Sequence, residues 1–100
     1  MTRSIVVAFA LALSGCSHTA VYRTRGRPAE PIARSVCEEM GFYRPGPDAF
    51  TFKCVGYHAV EFFSVRFGGD VFRVFGDAHA QAEVALLLGR SSEAVLVEFK

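Results

Sequence analysis

Hydrophobic and polar positions divide the chain into stretches of different texture. The nine residues from Ile5 to Leu13 are all apolar. A spanning helix needs about 20 apolar residues, so this run is too short to cross a bilayer and has the length of a secretory h-region. Between Ser17 and Glu30 no period is sustained, and Arg23, Arg25 and Arg27 precede a Pro-rich step. That texture predicts a flexible tether over residues 16–30, averaging about 20 Å end to end.

Periodicity begins at Pro31. Ile32, Val36 and Met40 recur at helical spacing behind a proline suited to a helix start, predicting a helix from Pro31 to Met40 capped by Gly41. Tyr43 to Asp48 reads as a turn. Ala49 to Val55 fits two templates, since Phe50 and Cys54 are one helical turn apart while Phe50, Phe52 and Cys54 alternate; a short helix is the expectation.

From Val60 the pattern becomes β. Val60 to Phe67 and Val71 to Phe75 flank Gly68-Gly69-Asp70, which predicts a hairpin with Phe63, Val65 and Phe67 on one face and Phe62, Ser64 and Arg66 on the other. Gly76-Asp77 then stops the strand and caps a helix, Ala78 to Leu88, with Ala78, Ala82, Ala85 and Leu88 as its stripe and Gly89 at its end. Ala94 to Phe99 reads as a final strand. The class expected over 31–100 is α+β: an N-terminal helical part, a β-hairpin, a helix and a last strand, forming one small sheet packed on helices.

Composition narrows the role. One hundred residues support one core, and 51% hydrophobic content excludes a wholly disordered chain. A net charge of +1 supplies no general electrostatic reason to bind nucleic acid, and no nucleic-acid partner is expected.

The chain starts Met1-Thr2-Arg3-Ser4, with one positive charge ahead of the apolar run, and the run closes on Leu13-Ser14-Gly15-Cys16. This arrangement resembles the lipobox of bacterial lipoproteins: an aliphatic residue, two small residues, then the cysteine that receives lipid. The resemblance implies a signal peptide over 1–15, cleavage before Cys16, and acylation of Cys16 at its sulfur and new amino group. Stable anchoring takes about two lipid signals, and a three-chain modification exceeds that. Ser17 stands where Asp would retain a lipoprotein at the inner membrane, so the implied site is the outer membrane of a Gram-negative cell, facing the periplasm. An ordinary signal peptide with a coincidental cysteine and a cytosolic N-terminal helix are the alternatives.

With Cys16 assigned to lipid by that resemblance, Cys37 and Cys54 remain, and in an exported protein two thiols default to a disulfide. A second stretch, Cys37 through Gly41-Phe42, Gly46 and Phe50 to Cys54, is similar to a Cys…Gly-Phe…Gly…Phe…Cys segment of small proteobacterial lipoproteins, where it closes a helical turn. Here Pro47 follows the second glycine where Thr is common, and the last Phe-to-Cys spacing is one residue longer. A metal site built from Cys37, Cys54, His58 and His79 is the competing reading, and the absence of a Cys-x2-Cys pair argues against it.

Catalytic constellations are weak. His58 and Glu61 would face opposite sides of a strand, His79 near Asp77 and Glu83 reads as an exposed helical histidine, and Ser64 lacks a Gly-x-Ser-x-Gly setting. No enzyme, cofactor or metal is expected. Because Phe62 and Phe63 are adjacent, as are Val71 and Phe72, both faces of the sheet carry aromatic material. Two-sided burial is expected, with Phe62 and Phe72 as the candidate interaction surface if one face is left open. The expected role is a non-enzymatic binding or assembly accessory of the cell envelope, held by its lipid anchor and serving an envelope protein partner. A small-ligand-binding or hydrolase-inhibitor lipoprotein is the alternative.

Overall fold

Residues 17–100 are described by a computed structural model; the expected signal peptide and Cys16 lie outside the described residues. The strands are β1 (His18–Thr24), β2 (Phe42–Pro45), β3 (Thr51–Val55), β4 (Glu61–Gly68), β5 (Val71–Gly76) and β6 (Ala94–Phe99). The helices are α1 (Ala29–Met40) and α2 (Ala78–Ser91), and Tyr57–Ala59 form a tight turn between β3 and β4. The strands make one antiparallel sheet in the order β2-β3-β4-β5-β1-β6. The architecture is α+β, with both helices packed on the sheet around a single core.

The tether expected over 16–30 is not a tether. Its first half is β1, an interior strand that pairs with β5 on one side and β6 on the other. Ala20, Tyr22 and Thr24 point into the core and Thr19 and Arg23 alternate outward, but Val21, at an outward position, is buried as well, so the period is masked by an outward valine and a buried threonine. The Thr24 hydroxyl is satisfied by backbone: it donates to the carbonyls of Arg27 and, at 3.1 Å, Asp70. The Pro-rich step that looked like a linker is the tight connection into α1, fastened where Ala29 N–H donates to the Gly69 carbonyl at 2.9 Å.

The first helix begins at Ala29, two residues before the proline expected to open it. Pro31 is tolerated there because the first four N–H groups of a helix have no intrahelical acceptor. The helix presents Ile32, Ala33, Val36 and Cys37 to the core. Gly41 ends it through an N–H bond to the Cys37 carbonyl at 2.7 Å. Its role is close approach: a Cβ there would lie 2.4 Å from the Val55 carbonyl oxygen.

The stretch expected as a short helix, 49–55, contains β3. Phe52 and Cys54 enter the core, and Phe50, whose spacing to Cys54 suggested a helix, projects outward before the strand. Pairing on both sides, to β2 and β4, outweighs a local helical preference. Tyr43, expected in a turn, lies in β2, and the turn proper follows it. There Asp48 Oδ1 accepts from Phe50 N–H at 2.8 Å and from the Thr51 hydroxyl at 3.1 Å.

Cys37 and Cys54 form a disulfide across 5.5 Å between Cα atoms. The bridge joins α1 to β3, a helix to a strand, where a helical turn was expected. Closing a loop of that size contributes about 3 kcal/mol in the chain-entropy picture.

The β4–β5 hairpin forms as its sequence indicates, around Gly69 at φ 57° and Asp70. Asp77 caps α2 by accepting from Ala80 N–H at 2.9 Å. The buried face of α2 is Ala80, Gln81, Val84 and Leu88, so the expected stripe through Ala82 and Ala85 faces outward. Burying Val84 and Leu88 removes more apolar area from water than burying two alanines. Gln81 Nε2 donates to the carbonyls of His18 and Val74, at 3.0 and 2.8 Å, tying α2 to β1 and β5. The helix passes through Gly89 and ends at Ser92, whose left-handed backbone turns its N–H onto the Leu88 carbonyl.

Candidate functional site

The residues singled out as an interaction surface separate in the structure. Phe72 is 1% exposed and stacks on Tyr22 with ring centroids 5.3 Å apart, so it belongs to the core and cannot be a docking residue. Phe62 is half-buried. Cys54 pairs with Phe63 and Val55 with Glu61, which leaves Phe62 as the extra residue of a β-bulge. The bulge lets the Phe62 ring fill the space left by the missing side chains of Gly41 and Gly56. Cys37 and Cys54 are bonded to each other, so neither sulfur can ligate a metal. Glu61, weighed as a partner for His58, instead meets Lys53 at 3.4 Å. Cys16 lies outside the described residues.

Burial on both sides of the sheet, the expected arrangement, is not observed. The helices cover the face carrying Phe52, Phe63, Val65, Phe72 and Val74. No described element covers the opposite face, whose composition follows from the register. Arg66 stands directly across from Arg73, Thr51 lies beside Arg66, and Lys53 faces Ser64, which in turn faces Phe75. Arg44 faces Lys53, and Arg23 lies diagonally from Arg73. Among the described residues, no carboxylate lies within 4.0 Å of Arg23, Arg44, Arg66 or Arg73. Like charges directly opposed across an antiparallel pair destabilise it. The sheet retains that repulsion on a face with a half-buried aromatic, Phe75, at its centre.

Beside this row lies a hollow of about 290 Å³ lined by Pro47, Thr51, Lys53, Ser64, Arg66 and Phe75. Chemically it offers an ammonium, a guanidinium, two hydroxyls and a ring, a set that receives carboxylate or phosphate oxygens. On the helical side, a cleft of about 440 Å³ opens between the end of α1 and the start of α2. Met40, Phe62, Ala80 and Leu87 supply its apolar lining, and Glu39, Glu61, Asp77, His79 and Glu83 its polar lining.

Sequence reasoning placed Ser64 and Arg66 on the face away from Phe63 but did not see the arginine pair. The signal was present: a two-residue Gly69-Asp70 turn sets Gly68 against Val71 and therefore Arg66 against Arg73. No protein-family model, curated protein or solved structure matches the chain.

Proposed function

We propose that the chain is a lipid-anchored outer-membrane lipoprotein facing the periplasm, a non-enzymatic accessory that binds an acidic envelope protein on its arginine-bearing sheet face. The anchor rests on Leu13-Ser14-Gly15-Cys16 behind the apolar run, and the outer-membrane position on Ser17. The binding role is carried by one observation: Arg66 directly opposes Arg73 on a face that no described element covers, and no carboxylate of the described residues lies within 4.0 Å of either. A partner's carboxylates would remove that repulsion on docking and form charge-assisted bonds with both guanidinium groups.

The test is site-directed photocrosslinking in cells from position 64, next to the pair, in the native, R66E/R73E and R66K/R73K backgrounds. A discrete protein adduct should form in the native background, disappear on charge reversal and survive in the lysine variant. An adduct indifferent to charge reversal, or none at all, would defeat this role.

The cleft between α1 and α2 favours a second reading, capture of a small amphiphile bearing a positive charge. Its apolar floor and carboxylate rim supply the chemistry. Chemical-shift changes confined to Met40, Phe62 and Leu87 on titration with an alkylamine would support it, and changes spread along the arginine face would not.

A further inference from the structure

We infer that the sheet end carrying Phe42, Tyr57 and Val60 is a rim that docks on the lipid bilayer; this rests on the lipid-anchor reading above. The register puts six chain positions at that end. Phe42 faces Val55 and Val55 faces Glu61, starting β2, ending β3 and starting β4. Phe63 faces Gly76, which faces His18, where β5 ends and β1 begins, and β6 ends alongside at Phe99. The chain therefore enters the domain at the same end that presents the Tyr57 turn.

Two residue steps separate Cys16 from His18, at most about 7 Å of extended chain. Because β1 replaces the expected tether, a lipid on Cys16 holds this end at the headgroups. The turn between β3 and β4 lies two to three strand spacings away, roughly 10–15 Å along the rim.

That turn is built to expose apolar surface. Tyr57 is 81% exposed, Val60 55% and Phe42 54%, and the Tyr57 and Phe42 rings meet only edge to face at 5.6 Å. Gly56 N–H donates to the Val60 carbonyl at 2.7 Å, closing the loop. His58 and Ala59 follow Tyr57 at φ 64° and 59°, a left-handed conformation that non-glycine residues avoid. Strain of this kind persists where its surroundings enforce it, and it clusters at functional segments. Here it belongs to the turn that carries Tyr57 outward, and tyrosine is a residue enriched at membrane interfaces, with a ring for the acyl boundary and a hydroxyl for the headgroups.

The chain contains no tryptophan, which makes a single introduced indole an unambiguous depth probe. Full-length Y57W, purified from membranes, would be placed in phosphatidylethanolamine–phosphatidylglycerol vesicles with or without brominated acyl chains. F50W, at the opposite end of the sheet, is the control. Y57W emission should be blue-shifted and quenched at least twofold by bromolipid, with F50W unquenched. Equal quenching at both positions, or a blue shift without bromolipid quenching, as burial against a second copy would give, overturns the docking rim. Mass spectrometry of the same material reads Cys16. Acylated Cys16 with unquenched Y57W overturns the rim and leaves the anchor standing. Unmodified Cys16 overturns the anchor, and Y57W quenching on added vesicles then tests the rim by itself.

Discussion

At the scale of single residues, the polar groups that enter the core define how the sheet and helices are held together. Tyr22 is 3% exposed between α-helical and sheet side chains, and burial pushes its hydroxyl from 10.0 up to about 12. Below pH 10 both folded and unfolded chains keep that proton, so the contribution of Tyr22 is intact. Between pH 10 and about 12 the unfolded chain loses it first, and stability falls by on the order of 2 kcal/mol. Tyr22→Phe should remove this part of the alkaline loss while retaining the stack on Phe72. Thermal melts of both proteins from pH 9 to 12 check it, and curves that stay parallel across the window would refute it. Tyr22 and Thr24 were hidden from pattern reading because each is a polar residue at a core position. Their burial depends on partners that lie far away in sequence, Phe72 for one and Asp70 for the other.

Among the elements, those whose signals were local were legible and those defined by distant pairing were not. The hairpin announced itself through two Val/Phe runs and a Gly-Asp turn, and β6 matches its expected bounds, Ala94–Phe99. Asp77 was readable as a cap because capping needs only the next three residues. By contrast, β1 and β3 looked like tether and helix, since each acquires its strand character from neighbours on both sides. The disulfide was readable from the cysteine count together with the expectation of export, whereas its helix-to-strand geometry was not. The second helix illustrates a remaining local mismatch. Gly89 lies inside it, where an added methyl group would meet no heavy atom within 4 Å and no positive φ requires glycine. Gly89→Ala should therefore stabilise the protein by about 0.5–1 kcal/mol, chiefly by restricting the unfolded chain. Chemical denaturation at neutral pH checks this, and a lower midpoint at unchanged slope would show that the glycine has another role.

For the whole molecule, the decisive correction is the boundary of the folding unit. Sequence texture placed the domain at 31–100, but the sheet needs β1 between β5 and β6. A chain of residues 31–100 would leave β6 without a strand partner and strip Ala20, Tyr22 and Thr24 from the core. It should show no cooperative thermal transition, whereas residues 17–100 with the disulfide intact should melt in one step. Calorimetry on both chains distinguishes the two, and a cooperative 31–100 would contradict the central role of β1. The Arg66–Arg73 pair lies within one hairpin, but the extension of the proposed binding face to Arg23 and Arg44 emerges only at this scale, because those residues come from other strands. The place of β1 further governs the order in which the protein can mature. A chain delivered across a membrane from its N-terminus would present β1 first, whereas its partners lie far behind it at 71–76 and 94–99. In such delivery the earliest strand would wait, unpaired, until β5 had crossed, and its other edge would stay open until β6 arrived at the very end.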